Sequence, residues 1–371
     1  MSPIALFDCR VDAAGLSAAQ SVLAGGALAS GPNVARLEQR LALTVGRPHV
    51  VALSDLTHAL TLALKLAGVR PGDDVLTLAY NCLSSNAAIV RAGAVPVWVD
   101  IDPAQACISL ADCAAAITER TRALVVYHVA GYPAPLDELR RFCDERRITL
   151  IEDANNALGA RWAGRDVGSV GDYGVFSFYA NRQVNAIDGA ALICPDEALA
   201  DEARRMRRFG IDAQHFRDPL GEIDASADVP RIGGSSTLNH VNATLALQHM
   251  DSLDRRLARC RENVRRLGDA LRGTPGIEPV RWSDRSEPVF WTWLLRCERR
   301  DALMATLKRR GVQCSKLHQP NDVYSGFGAR PRNLPGTADF MREVLALPCG
   351  WWLADADLDR LVAEVRHAGA L

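Results

Sequence analysis

Between residues 47 and 195 the chain alternates short apolar runs with stretches in which apolar residues recur every three or four positions. The short runs lie at 49–53, 75–78, 95–99, 123–128, 148–151, 174–178 and 190–194. Several are apolar at consecutive positions, the pattern of parallel strands covered on both faces, since a strand with one wet face alternates instead. The intervening stretches, 57–67, 83–92, 110–119 and 136–146, have helical spacing, and Gly93, Gly131 and Pro133 punctuate the connections. Strand and helix in alternation predict an α/β fold, with a seven-stranded, mostly parallel sheet and helices on both faces.

Past Pro195 the pattern changes. The segment 201–208 reads as an arginine-rich helix, 214–231 as a polar loop, and 237–266 as one long helix joining two domains. Beyond 280 come a Trp-rich strand at 288–296, a helix at 300–310, a loop around His318 and a closing helix at 358–367. These elements describe a smaller α+β domain. The expected division gives a large domain over 1–245, with an N-terminal arm, and a small domain over 246–371. There is no internal repeat and no low-complexity linker.

Composition narrows the class. Apolar residues make up 48% and charged residues 23% of the 371, which is globular and excludes disorder. Forty-three basic residues against 44 acidic give a formal charge of −1, which argues against nucleic-acid partners or a polybasic membrane anchor. No apolar stretch approaches the ~18 residues of a membrane span, and Met1-Ser2-Pro3 lacks a basic leader region. The ten cysteines show no CxxC and no Cys/His ligand spacing, so they read as reduced core thiols without a metal. A cytoplasmic enzyme with a small-molecule substrate is expected. Of the 43 basic residues only three are lysine, namely Lys65, Lys308 and Lys316.

Open parallel sheets bind ligands at the carboxyl ends of their strands. Four segments place polar residues there: Glu152-Asp153-Ala154-Asn155-Asn156, Ser177 with Tyr179-Ala180-Asn181-Arg182, Ser54-Asp55-Leu56-Thr57, and Tyr80-Asn81-Cys82. Taken singly, the Ser54-to-Thr57 segment reads best as a helix N-cap and Asp153 as a turn residue.

Their order and spacing carry more. Ser30-Gly31-Pro32 with Leu37-Glu38, Ala92-Gly93-Ala94-Val95-Pro96-Val97 with Val99-Asp100-Ile101-Asp102, His128 with Gly131 and Pro133, Ile151-Glu152-Asp153-Ala154 with Gly159-Ala160, Gly168-Ser169 with Gly171-Asp172 and Phe176-Ser177-Phe178, and Leu345-Ala346-Leu347-Pro348 follow one another along the chain. From about residue 28 to the end this series resembles the DegT/StrS-type sugar aminotransferases, a branch of the fold-type I pyridoxal-phosphate (PLP) enzymes. The resemblance implies a PLP-transferase-like large domain, a small C-terminal domain, and a homodimer with shared sites. It also implies that Asp153 pairs with the pyridine nitrogen, keeping the ring an electron sink. Thr57 and the following helix turn would hold the phosphate, with Ser177 donating another bond. Asn156 stands where the family has glutamine near the ring hydroxyl.

Other positions depart from the family. The Schiff-base lysine, five residues after Ser177, is here Arg182. A guanidinium stays protonated and is neither nucleophile nor proton shuttle. The family's Ser-Gly-Thr turn reads Asp55-Leu56-Thr57, Cys82 replaces the stacking aromatic, and Asp188 replaces a glutamate. Ser235 and Thr237 stand for the asparagine and arginine that cross the dimer.

Three readings follow. The leading one is a nucleotide-sugar or secondary-metabolite enzyme that binds PLP, its amine form PMP, or a substrate-amine adduct without a covalent bond, with His128 or His240 as base. The second is a cofactor-independent enzyme in which Arg182 binds a carboxylate or phosphate. The third is a non-catalytic partner subunit for an active paralogue. In all three Arg182 faces the cavity, either plugged by Asp55 or Asp188 or clamping an anion.

Overall fold

A computed structural model describes residues 2–369. Its centre is a sheet of β1 (Val50–Leu53), β2 (Asp74–Leu78), β3 (Val95–Val99), β4 (Thr121–Tyr127), β5 (Thr149–Asp153), β6 (Tyr173–Ser177) and β7 (Ala190–Ile193). The spatial order is β1-β7-β6-β5-β4-β2-β3. Only β7 runs against its neighbours, and the remaining pairs are parallel. The seven expected strands are therefore all present. β1, β2, β6 and β7 are buried at every position, which is why their sequences are apolar without alternation.

Ahead of the sheet lie α1 (Ala13–Gly25) and α2 (Pro32–Val45), neither of which the pattern announced. α1 buries only Gly15, so its sequence shows no apolar stripe. Between strands run α3 (Leu56–Leu66), α4 (Leu83–Arg91), α5 (Leu110–Ala116) and α6 (Leu136–Arg146), and α7 (Glu197–Met206) follows β7.

The stretch 237–266 is two helices, α8 (His240–Met250) and α9 (Leu253–Leu271). Ser252, at φ −104° and ψ 0°, leaves helical geometry between them. The expected domain division at 245 falls inside α8, which packs on α1 and α2, whereas α9 packs on α12 (Asp355–Gly369). The small domain adds α10 (Arg300–Arg309), α11 (Pro335–Glu343) and an antiparallel sheet of β8 (Glu278–Pro279), β9 (Trp293–Arg296) and β10 (Val344–Leu347).

The strand expected at 288–296 begins only at Trp293. Phe290 has φ 48°, and Val289 and Trp291 donate their backbone N–H groups to Gly131 and Ala130. This detour lays Trp291 against the large domain. Gly131 makes the approach possible: at φ +85°, a Cβ there would lie 2.8 Å from Val289 Cγ2 and 3.1 Å from Asn156 O. Gly131→Ala is therefore expected to cost about 1–3 kcal/mol, as overpacking and a left-handed non-glycine residue both act against it. Urea unfolding measures the loss, and an unchanged midpoint would contradict it.

Candidate active site

A cavity of about 580 Å³ opens at the carboxyl ends of β1, β5 and β6 and is closed by Phe7, Trp291 and the 315–318 segment of the small domain. Asp55, Leu56, Thr57, Cys82, Asn156, Ser177, Arg182 and Asp188 all line it. Asp153, His128 and Ser235 do not.

Arg182 lies in the loop between β6 and β7 and is buried. Nε donates to the Asn155 carbonyl at 3.0 Å, Nη2 to Asn155 Oδ1 at 2.8 Å, and Nη1 to Asn181 Oδ1. Its guanidinium stacks on Trp291 at 4.6 Å, and Trp291 is fixed by Nε1–H donation to Asn181 O and by stacking on Phe7. Among the described residues, neither Asp55, Asp188 nor any other carboxylate forms an ion pair with it. The plug arrangement is thus absent. Of five N–H groups these bonds engage three. Burial pulls the Arg182 pKa down from the ordinary guanidinium value, and neighbours including Tyr127, Cys82 and Asp153 act the other way.

Asp153 ends β5 as expected but is fully buried. Oδ1 accepts from Asn155 Nδ2 at 2.9 Å and Oδ2 from Asn81 Nδ2 at 3.4 Å. Burial raises its pKa, while the bonds from Asn155 and Asn81 oppose the rise. One amide, Asn155, thus receives Arg182 on its oxygen and serves Asp153 with its nitrogen. Asn155 stood in the strand-end motif without an assigned role, and only the fold shows it as the link.

Asp55 is the N-cap of α3: Oδ1 accepts from His58 N at 2.9 Å, and Oδ2 accepts from Ser54 Oγ at 2.9 Å and lies 2.6 Å from His58 Nδ1. Burial alone would raise its pKa, but the His58 and Ser54 bonds hold it below the usual value. Thr57 Oγ1 donates to Ser84 O at 3.1 Å, and Ser177 Oγ accepts from Tyr179 N at 3.2 Å. Asp188 accepts from Gly189 N at 2.8 Å, and burial followed by the Asp55 charge raises its pKa.

His318 also faces the cavity, an outcome its loop sequence did not signal. The Tyr127 hydroxyl accepts from Asn156 Nδ2 at 2.9 Å and from Ala130 N at 3.3 Å, so its proton goes to His318 Nε2 at 3.1 Å. This network assigns the ring proton of His318 to Nδ1. Burial, with Arg182 nearby, pushes its pKa down to about 3, so the imidazole is neutral.

His128, expected as a base, lies apart. Its Nδ1 accepts from Ala134 N at 3.1 Å, which leaves Nε2–H to donate to Glu152 Oε2 at 3.2 Å. Glu152 also accepts from Gly168 N, Val170 N and Gly171 N at 2.6–2.7 Å. With both ring nitrogens committed at a buried structural joint, His128 has no free atom for a substrate. His240, the other histidine considered, donates Nδ1–H to Ala27 O beside Gly31. Ser235 is exposed and bridges Arg208, outside this chain's own cavity. No lysine lines the cavity. Lys65 lies in the last turn of α3, Lys308 in α10, and Lys316 Nζ is 3.9 Å from Asp301 with the side chain 43% exposed.

A mostly parallel seven-stranded sheet, a small antiparallel domain and a strand-end cavity between them define a transferase fold of the aminotransferase kind. The chain belongs to the DegT/DnrJ/EryC1/StrS aminotransferase family, whose model matches residues 10–366. It is 32% identical over 362 residues to the erythromycin biosynthesis sensory transduction protein EryC1 of Saccharopolyspora erythraea, covering 95% of this chain and 94% of that one. It is likewise 32% identical over 357 residues to dTDP-3-amino-3,4,6-trideoxy-alpha-D-glucose transaminase of Streptomyces venezuelae, covering 93% and 89%. The sugar aminotransferase CalS13 of Micromonospora echinospora superposes with a TM-score of 0.92 at 32% identity, covering 98% of this chain and 99% of that structure. Among the described residues no helix is long and apolar enough to cross a membrane.

Family membership implies PLP or PMP, and the side chains present test that implication. Asp153, which the family resemblance pairs with a pyridine nitrogen, is fully buried and does not line the cavity, with an amide donor on each oxygen. The α3 N-terminus, where a phosphate gains most from the helix dipole, is already capped by the Asp55 carboxylate, and Asp188 lines the same cavity. A phosphate dianion would face two like charges there. These residues do not fit the group.

Proposed function

We propose that this chain is an enzyme of nucleotide-sugar or natural-product biosynthesis that keeps the aminotransferase fold, works without a Schiff-base lysine, and receives an anionic small-molecule substrate on Arg182. One observation carries the reading: a buried guanidinium lines the cavity with no carboxylate paired to it. A buried charge left unpaired is costly, and a bidentate anion supplies the missing partner. The nucleotide-sugar setting rests on the transaminase and CalS13 relatives, which act on or are named for sugars.

Within that reading the side chains divide the work. Asn155 and Asn181 hold the Arg182 fork, and Trp291 and Phe7 cover it and exclude water. His318 offers Nδ1–H as a neutral donor, fixed by Tyr127 and Asn156. Two copies of the chain form the working unit, in which the exposed Ser235 and Thr237 meet the second copy, and the cytoplasm is its compartment. A second reading, PMP held without a covalent bond, has Thr57, Ser177 and Asn156 in the cavity for it and the Asp55 and Asp188 carboxylates in the same cavity against it.

Borohydride reduction after incubation with PLP is expected to leave no pyridoxyl-lysine at the cavity by peptide mapping, because no lysine lines it. An adduct on Lys316 accompanied by transaminase turnover would overturn the lysine-free reading. Calorimetry with short carboxylates against PMP separates the two ligands: carboxylate binding lost in Arg182→Ala supports the first, and tight PMP binding that survives Arg182→Ala supports the second.

A further inference from the structure

The same cavity is lined by two groups of opposite charge, neither of which is in an ion pair among the described residues. Arg182 has no carboxylate partner, and Asp188 has no cationic one: its Oδ1 accepts the Gly189 N–H, and no arginine, lysine or histidine pairs with it among the described residues. Both line the cavity, yet they do not pair with each other. Asp55 stands near enough to Asp188 to raise its pKa, and its own oxygens are taken up by Ser54 and His58. The Asp188 end is therefore negative, with one open carboxylate oxygen.

At the other end Arg182 has two N–H groups to spare, and His318 adds a donor. A singly charged ligand would satisfy one end and leave the other unmatched, either the buried Arg182 guanidinium or the half-buried Asp188 carboxylate. A ligand with both charges satisfies both.

We infer that the cavity takes a zwitterion, a small molecule whose carboxylate sits on the Arg182 fork and whose primary ammonium sits on Asp188. The inference rests on the Arg182 reading above and narrows its substrate to the amino-acid or amino-sugar-acid class. A cavity of about 580 Å³ is ample for such a molecule. At the ammonium end Asp55 reinforces the field and Asp188 makes the contact.

The test scans the separation of the charges. Linear ω-amino acids from β-alanine to 6-aminohexanoate are titrated into the full-length protein by calorimetry, beside the carboxylate and the alkylamine of matching length. One chain length is expected to bind at least about 10-fold more tightly than its carboxylate, a difference of ~1.4 kcal/mol. Asp188→Asn is expected to bring that amino acid down to the affinity of its carboxylate. If no ω-amino acid exceeds its carboxylate in the wild type, the zwitterion inference is overturned while anion binding at Arg182 stands. If neither carboxylates nor amino acids bind, the Arg182 reading fails and the inference with it.

Discussion

Arg182→Ala is expected to weaken binding of a carboxylate ligand by about two orders of magnitude, within the ~2–5 kcal/mol lost when one partner of a buried hydrogen-bonded charge pair is removed. The side chain is buried, stacked on Trp291 and held by Asn155 and Asn181, so its fork is already aimed before a ligand arrives. Preorganisation of that kind turns directly into affinity. Arg182→Lys keeps the charge but loses the planar fork and the bond to Asn155 Oδ1, so it too is expected to weaken the ligand, by roughly 10-fold. It is not expected to restore transamination, because Asp153 stays sealed behind Asn155 and Asn81 and the α3 N-terminus stays capped by Asp55. Calorimetry and a coupled amino-transfer assay check the two statements. Wild-type affinity in Arg182→Ala, or an active Arg182→Lys transaminase, would reject this account of the cavity.

The largest effect on stability is expected at Glu152. Its carboxylate accepts three backbone N–H groups, from Gly168, Val170 and Gly171, and the Nε2–H of His128. Glu152→Ala would leave those donors buried and unmatched, a loss of about 3–5 kcal/mol. Burial by itself would raise the Glu152 pKa, but His128 and the glycine N–H groups bring it below the ordinary carboxylate value. A carboxylate whose folded pKa is lowered stabilises the fold above its unfolded value, near ~4.3, and that contribution fades as pH falls through the native value. The gap between wild type and Glu152→Gln is therefore expected to narrow as pH falls below the ordinary carboxylate range and the wild-type side chain becomes protonated. Urea midpoints across pH measure it, and a gap that widens in acid would contradict the assignment.

The same pair shows why the candidate site was only partly legible. His128 sits in a motif that faces the strand ends, and a histidine there reads as a base. Whether it meets a ligand depends on where the Ala134 N–H and the Glu152 carboxylate fall, and those contacts are made by packing. His318, 191 residues from Tyr127 along the chain, had no local signal at all, since its neutrality and tautomer come from a phenol brought to it by the fold. Asp55 was legible both as a cap and as a departure from the family turn, and it is the cap in fact. Helix α1 went unseen because Gly15 is the one residue it buries, so no hydrophobic stripe marks it in the sequence.

By itself, the sequence determined the large sheet, its parallel character and the family. Strands buried on both faces must be apolar at successive positions, and strand-end motifs keep their spacing because backbone geometry sets it. It also placed an arginine, Arg182, five residues after Ser177 in the loop that follows the sixth strand. Only the tertiary structure decided that Asn155 joins Arg182 to Asp153 and shields that carboxylate, that Arg182 and Asp188 share a cavity without pairing, and that His128 belongs to a structural joint. The physical reason is that the charge state and availability of a polar group depend on its burial and its partners. Those partners come from strands, loops and a second domain far apart in the chain.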